Sequence, residues 1–308
     1  MTDVAAEIPA TAPPNDLTPD QLRVKPDADG VSVRVGPQRA GWRYLSFQVR
    51  ALAEGEGVPI ASHGREAAVV VLAGRGVQID LPASGRLQLD GRASVFDDLP
   101  AAAYLPAGSA ATIVGQPGQA HGRTVVAIAE APASGRPGAS EQPVLIGPDD
   151  IEVEIRGAGN ATRQVNHIIR PEFPADRLLL VEVYTPAGNW SSWPPHKHDV
   201  DAMPGEAVLE EIYYYQLRRP EGWALQRLYR RDGSRDALWA VRQGELVLVT
   251  DGYHPFVAAH GYDAYYLNAL AGDRRTMAFS DDPDLAWTRQ AWEMLPPDPR
   301  VPLVRRGG

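Results

Sequence analysis

The 308-residue sequence contains no cysteine. Disulfides, thiolate nucleophiles and cysteine-ligated metal sites are therefore excluded. The absence of disulfides fits a reducing, cytoplasmic environment. Basic residues are outnumbered by acidic ones: the chain has 30 Lys and Arg and 39 Asp and Glu, which gives a formal net charge of −9. A general nucleic-acid binder would need a basic face, so this composition argues against that class of protein.

The chain also lacks an apolar segment of the roughly 20 residues that a membrane-spanning helix needs. Residues 1–22 are acidic and proline-rich without the apolar core of a signal peptide, so we expect a flexible N-terminal extension there. With 44% hydrophobic residues, the remainder can bury a large core. We predict a soluble, cytoplasmic protein of about two domains that binds neither nucleic acid nor membrane, and assembly into a homo-oligomer stays open.

Short β-like runs separated by Gly, Pro and Asp fill the chain from about residue 31. This spacing is typical of antiparallel sandwiches and barrels, and the glycines of LAGRG (72–76) favour a hairpin turn. We therefore predict an all-β protein with two barrel or jelly-roll domains, 23–135 and 151–308, joined by a linker rich in Pro, Gly and Ser at 136–150. Apolar helical spacing in residues 280–295 adds a short C-terminal helix.

Two of the seven histidines, His196 and His198, stand two residues apart in PPHKHD. Residues i and i+2 of a strand face the same side, so both imidazoles would enter the barrel while Lys197 points the other way. Two converging neutral imidazoles can bind a metal ion. The pair alone is weak support for a metal site, because many such pairs are ordinary surface or core histidines.

Two later segments supply further candidate ligands. LEEIYYYQ begins a strand with Glu210 and Glu211, of which one must face inward. We favour Glu211, because alternation then places Tyr213 and Tyr215 on its face, and the choice of Glu210 stays open. GELVLVTDGYHP places His254 directly after a turn, at the mouth of a barrel. Each segment also has a structural explanation, since glutamates at strand starts are usually solvated and a single histidine is more often structural.

Together, His196, His198, Glu211 and His254 would offer three nitrogens and one oxygen, an arrangement that resembles the metal site of cupins. Thr250 stands where the cupin motif usually has a proline, and the spacing from His198 to Glu211 is longer than usual. Zinc, manganese and iron all accept such a donor set.

The resemblance extends over nearly the whole chain beyond its first 20 residues. GNWSSWPPHKHD, LEEIYYYQ, DGYHPFVAAHGYDAYYLN and RGAGNATRQVN resemble the 5-deoxyglucuronate isomerase family of myo-inositol degradation. DGVSVRVGPQRAGWRYLSFQVRAL and REAAVVVLAGRG resemble the same family. This implies a bicupin with a divalent metal ion, zinc or manganese ahead of iron, that converts 5-deoxy-D-glucuronate to 5-dehydro-2-deoxy-D-gluconate by aldose–ketose isomerisation.

The N-terminal half carries the β pattern without these ligands. Ala110 stands where the other half has His254, and the segment with His63 and Glu66 has no second histidine. We therefore predict that this domain is structural. His121 and His167 have no partners in sequence either, and His260, in the Ala-rich loop after His254, is expected to be a spectator.

Isomerisation of a uronic acid also requires proton transfer and a cation for the carboxylate. Tyr213 and Tyr215 are candidates for the first role, and Arg163 and Lys197 for the second, although alternation directs Lys197 outward. Three other functions remain open at this point. They are a related ketol-isomerase of pectin-derived deoxy-ketouronate, a cupin dioxygenase with redox iron, and a non-catalytic, sugar-binding or storage bicupin.

Overall fold

The computed structural model describes residues 17–60, 64–116 and 122–307, so His63 and His121 lie outside the described residues. Antiparallel strands dominate these ranges. The strands are β1 (Arg23–Val24), β2 (Val33–Val35), β3 (Ser46–Leu52), β4 (Gly57–Ile60), β5 (Arg65–Leu81), β6 (Gly85–Arg92), β7 (Ala102–Leu105), β8 (Ala111–Gly115), β9 (Thr124–Pro132), β10 (Val144–Ile146), β11 (Glu152–Arg156), β12 (Arg163–Ile169), β13 (Leu178–Thr185), β14 (Trp190–Ser191), β15 (His196–Lys197), β16 (Glu210–Leu217), β17 (Ala224–Tyr229), β18 (Asp236–Val241), β19 (Leu246–Val249), β20 (Phe256–Ala258), β21 (Ala264–Ala271) and β22 (Ser280–Asp281).

Helices are short and few among the described residues. They are α1 (Pro19–Leu22), α2 (Pro37–Ala40) and two 3₁₀ helices, Pro148–Asp150 and Ala286–Glu293. The second 3₁₀ helix lies where the sequence predicts a C-terminal helix. Within the described ranges, none of the helices has the length and apolar character needed to cross a bilayer.

Two sheets with matching strand order organise the molecule. The N-terminal sheet has the order β10-β7-β5-β9-β3-β2, and the C-terminal sheet has the order β1-β19-β16-β21-β13-β12-β11. In the C-terminal half a second sheet, β14-β20-β17-β18, completes the unit, and β4, β6 and β8 do so in the N-terminal half through the later part of β5. The predicted all-β architecture of two antiparallel units is therefore confirmed.

Each half lends one strand to the sheet of the other half. β1, at the start of the chain, pairs with β19 in the C-terminal sheet, whereas β10, directly before the C-terminal half, pairs with β7 in the N-terminal sheet. Each exchanged strand occupies the same place in the strand order, so the exchange is reciprocal.

Both segments that the sequence predicts to be irregular, the N-terminal extension and the linker, contain ordered structure. α1 begins with a capping box at Thr18, and its Leu22 is fully buried in the core. The flexible extension predicted over residues 1–22 therefore does not reach residue 22, because this apolar side chain packs against the fold. The predicted linker 136–150 likewise contains β10 and a 3₁₀ turn, and the backbone groups of β10 pair with β7.

A pair of glutamates fastens the two halves to each other. Glu66, at the start of β5, accepts the backbone N–H groups of residues 176–178 at 2.6–2.7 Å. Glu210, at the start of β16, accepts those of residues 43–45 at 2.6–2.9 Å. Each carboxylate thus binds three consecutive amides that precede a strand of the other half, and we call the two arrangements the carboxylate clamps.

The glycines of LAGRG do not form the predicted hairpin. β5 continues through them, and its register shifts between Val71 and Ala73 as it passes from one sheet to the next. Gly74 and Gly76 have φ values of 105° and 100°, and a Cβ at Gly76 would lie 2.1 Å from the carbonyl oxygen of Leu89. The hairpin prediction is wrong because these glycines bend and bulge a long strand instead of reversing it.

Candidate active site

Three of the four predicted ligands meet inside the C-terminal barrel. His198, Glu211 and His254 are buried, and their ligand atoms lie within 4.8 Å of one another. Glu211 Oε2 is 2.9 Å from His198 Nε2 and 3.3 Å from His254 Nε2. The ring of His196 stacks on Phe279 and lies 4.7 Å from the His254 ring, between centroids, so it borders this group without belonging to it.

The outer nitrogens of two of these rings are committed to backbone carbonyls. His198 Nδ1 lies 2.9 Å from the oxygen of Leu209, and His254 Nδ1 lies 3.0 Å from that of Gly252. A carbonyl oxygen only accepts, so each Nδ1 carries a proton, and the neutral ring of His254 has a lone pair at Nε2. This lone pair faces the Glu211 carboxylate and has no hydrogen-bond partner among the described residues, whereas His198 Nε2 is hydrogen-bonded to Glu211 at 2.9 Å. Buried electron-pair donors that face one another fit a bound cation.

The pKa shifts of the three histidines differ in direction. Burial lowers the pKa of His254 to about 4 and holds the pKa of His196 well below its usual value. Burial also acts to lower the pKa of His198, but the hydrogen bond to Glu211 and its negative charge outweigh this, so the pKa is raised. His254 and His196 are therefore neutral at physiological pH, as metal ligands must be.

The two neighbouring glutamates of β16 face opposite sides. Glu211 lies beside the histidines, whereas Glu210 belongs to a carboxylate clamp with residues 43–45. Strand pairing shows that β16 corresponds to β5 of the other half. Glu66 pairs with the last alanine of β9, and Glu210 pairs with the last alanine of β21. Ala67 is then the counterpart of Glu211, so the N-terminal half has no carboxylate at this place.

Lys197 points away from the cavity, as alternation predicts. Its Nζ lies 2.6 Å from Asp199 and 2.7 Å from Glu206, both carboxylates of the same segment. Asp199 in turn accepts the N–H of Gly252 at 2.7 Å, two residues before His254. Lys197 therefore braces the turn that carries the first two histidines against the turn that carries the third.

A cluster of hydroxyl groups lines the same cavity as His198 and Glu211. Tyr213 and Ser192 are 2.7 Å apart at their oxygens, and the rings of Tyr213 and Tyr266 stack with centroids 4.5 Å apart. Burial, together with the charge of Glu211, raises the pKa of Tyr213 well above its usual 10, so its phenol stays protonated.

Tyr215 is separate from this cluster although it shares the face of Tyr213. Its ring stacks on Phe256, and its hydroxyl donates to the side chain of Gln226 at 3.0 Å. Tyr215 is not among the described residues that line the cavity. Tyr215 lies two residues further along the strand and therefore deeper in the barrel. The alternation of side chains along a strand gives the face of a residue but not its depth.

Arg163 supplies positive charge to the cavity. It is 4% exposed, and its Nη1 donates to the carbonyl oxygens of Ala161 and Trp193 at 3.0 and 3.3 Å. Burial lowers its pKa to about 10, which leaves the guanidinium charged at neutral pH. Arg156, which the sequence did not single out, lines the same cavity. The cavity thus combines a metal-type donor set, neutral hydroxyls and a buried cation.

Other histidines lie elsewhere. His167 Nε2 is 2.9 Å from Glu154 on the neighbouring strand, and His260 is exposed. In the N-terminal half, counting on from the paired strands β7 and β19 makes Ala110 the counterpart of His254. That interior is packed with aliphatic side chains, including Val69, Val71 and Ile128. The structural role predicted for this half stays a prediction.

Comparison with known proteins shows where the chain belongs. The sequence profile of the KduI/IolB family matches residues 21–288. The chain belongs to the KduI/IolB family. A protein of Geobacillus kaustophilus named 5-deoxy-glucuronate isomerase is 41% identical over 267 residues, which cover 86% of this chain and 93% of that protein. The resemblance inferred from the sequence motifs is thereby confirmed.

Solved structures support both the family and the fold. An IolB-like protein from Salmonella typhimurium superposes on this KduI/IolB member with a TM-score of 0.79 at 36% identity, covering 86% of this chain and 98% of that one. The oxalate decarboxylase of Lactobacillus farciminis has a TM-score of 0.59 at 12% identity, covering 89% and 96%. The latter shares the fold alone, and the predicted bicupin architecture is confirmed.

Proposed function

We propose that this KduI/IolB member is a metal-dependent isomerase that converts 5-deoxy-D-glucuronate to 5-dehydro-2-deoxy-D-gluconate in inositol catabolism. The observation that carries the proposal is one cavity that contains both the His198–Glu211 donor pair and the buried Arg163. An aldose with a carboxylate needs both kinds of group. Relatives that bear the name 5-deoxy-glucuronate isomerase, at 35–41% identity in several species, support the choice of substrate.

His198, Glu211 and His254 would hold the metal ion, with His196 as the fourth ligand. Zinc and manganese are the first candidates and iron the third, because imidazole and carboxylate ligands suit all three. A bound divalent ion supplies a Lewis acid that stabilises negative charge developing on a substrate oxygen.

The remaining roles follow from the groups that reach the cavity. Arg163 would bind the substrate carboxylate, since its planar guanidinium can offer two parallel N–H donors to it. Tyr213 would contact the substrate hydroxyls as a neutral phenol. The contacts of Tyr215 with Gln226, and of Lys197 with its carboxylates, favour positioning roles for these two residues. Cytoplasmic location and homo-oligomer formation stay predictions.

The proposal is tested by NMR of 5-deoxyglucuronate incubated with the purified chain, with chelator-treated and metal-restored samples in parallel. We expect conversion that disappears with the chelator and returns with zinc or manganese. His254→Ala should abolish both conversion and the rise in thermal stability on adding metal, whereas the matched control His260→Ala, at an exposed site, should keep both.

Other outcomes would point to the alternative functions. A folded, metal-loaded protein without conversion would refute this substrate, and the pectin-derived deoxy-ketouronate would be the next one assayed. Oxygen consumption coupled to turnover would indicate a dioxygenase. Tight metal binding with no turnover of either acid would favour a non-catalytic bicupin.

A further inference from the structure

One backbone conformation inside the cavity stands out. Among the described residues, Ser192 is the non-glycine residue with a positive φ, at 48°. It is 4% exposed and lines the cavity. Residues held in such conformations persist only where the surrounding structure imposes them, and they concentrate at functional sites. The conformation presents the Ser192 hydroxyl to Tyr213.

The hydroxyls around Ser192 form a connected series. Its Oγ lies 2.7 Å from the Tyr213 oxygen and 3.5 Å from the Tyr266 oxygen. Tyr266 donates its proton to Ser191 at 3.0 Å, and Ser191 also accepts from Thr185 at 3.0 Å. The proton of Tyr266 is therefore directed to Ser191 and away from Ser192. Between Ser192 and Tyr213, by contrast, either oxygen can donate to the other.

Aldose–ketose isomerisation requires such a reversible pair. The hydrogen on carbon can move as a proton through an enediolate or as a hydride. In both cases the hydroxyl proton leaves the oxygen of one carbon, and a proton arrives on the carbonyl oxygen of the adjacent carbon. Tyr213 and Ser192 both line the cavity, and their oxygens lie at hydrogen-bonding distance from each other, which suits contact with two neighbouring substrate oxygens.

We propose that Tyr213 and Ser192 form a proton relay between the two reacting oxygens of the substrate. The proposal rests on the isomerase function. The substrate O–H bond breaks as its proton moves to the Tyr213 oxygen, the phenolic proton moves to Ser192 Oγ, and the original Ser192 proton forms the new O–H bond on the former carbonyl oxygen. Each residue ends with one proton and no charge, so the same pair serves the reverse reaction.

Tyr266 and Ser191 act as positioning residues in this scheme. The hydrogen bond that Tyr266 donates to Ser191 fixes the phenol, whose oxygen lies 3.5 Å from Ser192 Oγ and so borders the Ser192 hydroxyl. The near-parallel stacking of Tyr213 on Tyr266, with 13° between the ring planes, keeps the two phenols at a fixed spacing.

The relay is tested with two substitutions of the same serine. Ser192→Ala removes the hydroxyl and keeps the unfavourable φ, whereas Ser192→Gly removes the hydroxyl and suits that φ. We expect kcat to fall about 100-fold in both, the magnitude typical of lost acid–base catalysis, with KM and metal content unchanged. Tyr214→Phe, which removes a hydroxyl from the opposite face of β16, is the control and should keep wild-type kcat.

Proton inventories in mixtures of H₂O and D₂O distinguish a relay from a packing role. The wild type should give a curved inventory, because several protons move together, and Ser192→Gly a linear one. Ser192→Gly with the kcat and the curved inventory of the wild type would overturn the relay alone. Absence of conversion by the wild type would overturn the isomerase proposal and the relay with it. If Ser192→Ala does not fold, Ser192→Gly decides.

Discussion

The carboxylate clamps allow one prediction in which the molecule provides its own control. Glu66 and Glu210 occupy matching places at the starts of β5 and β16, and each accepts three consecutive backbone amides from the other half. We consider Glu66→Gln and Glu210→Gln as separate variants. Each substitution keeps the shape of the side chain and removes its charge.

The magnitude follows from how the amides are shared. In both clamps one carboxylate oxygen accepts two N–H groups and the other oxygen accepts the third. A glutamine oxygen can keep the pair, but its NH₂ group then faces the third N–H, donor against donor. One charge-assisted bond is lost and one amide is left unpaired, which costs about 3 kcal/mol of unfolding free energy, and Glu66→Gln also alters the hydrogen bond that the Tyr104 hydroxyl donates to the same oxygen. The melting temperature should fall by on the order of 5–10 °C in both variants.

Only one of the two variants should affect the metal centre. Glu210 directly precedes Glu211 on β16, so loosening the start of that strand displaces a proposed ligand. Glu66 precedes Ala67, which has no such role. We expect Glu210→Gln to weaken zinc or manganese binding by about 10-fold, as is usual for groups that support metal ligands, and Glu66→Gln to leave it unchanged.

Thermal unfolding by circular dichroism measures the first effect, and calorimetric titration of metal into chelator-stripped protein measures the second. Equal metal affinities for the two variants would show that the clamp does not fix Glu211. Unchanged melting temperatures would show that the shared amides contribute nothing to holding the halves together. Either result would refute the reasoning from which the prediction was made.

Three further predictions concern other parts of the chain. Arg163→Lys should raise KM for the uronic acid at least about 10-fold in steady-state assays, because lysine lacks the planar pair of donors, and an unchanged KM would remove Arg163 from the binding site. Gly76→Ala should destabilise the fold by about 3 kcal/mol or more in urea unfolding, since its Cβ would collide with backbone, whereas Gly85→Ala, with open space around it, should cost only about 1–2 kcal/mol of backbone strain. The hydrogen bond from Arg300 holds the pKa of Asp298 at about 2, below the roughly 3.9 of an unfolded chain, so its stabilisation is complete above about pH 5 and disappears as the pH falls towards 2. The urea midpoints of wild type and Asp298→Asn should therefore differ at pH 6 and converge near pH 2, and a constant difference would contradict this.

Alternation along strands was the most informative sequence signal for the site. It directed His196 and His198 to one side and Lys197 to the other, and it favoured Glu211 over Glu210. The first choice depends only on the two-residue period of a strand, and the second depends also on placing Tyr213 and Tyr215 on the inner face. The structure has these side chains on the expected sides.

Features that depend on distant parts of the chain were not predictable in this way. The positive φ of Ser192 and the stacking of His196 on Phe279 arise from packing between segments far apart in sequence. The glycines Gly74 and Gly76 permit several backbone conformations, and neighbouring strands determined which of them was adopted. For the same reason the deeper position of Tyr215 could not be inferred from its place beside Tyr213.

The exchange of β1 and β10 makes the two barrels inseparable by any single cut of the chain. A fragment that begins at the C-terminal half would lose β1 and expose the hydrogen-bonding edge of β19, and an N-terminal fragment that ends before β10 would expose β7 in the same way. The N-terminal half thus supplies an edge strand to the sheet of the barrel that contains His198, Glu211 and His254. The two barrels are therefore mutated and inherited together, as one unit.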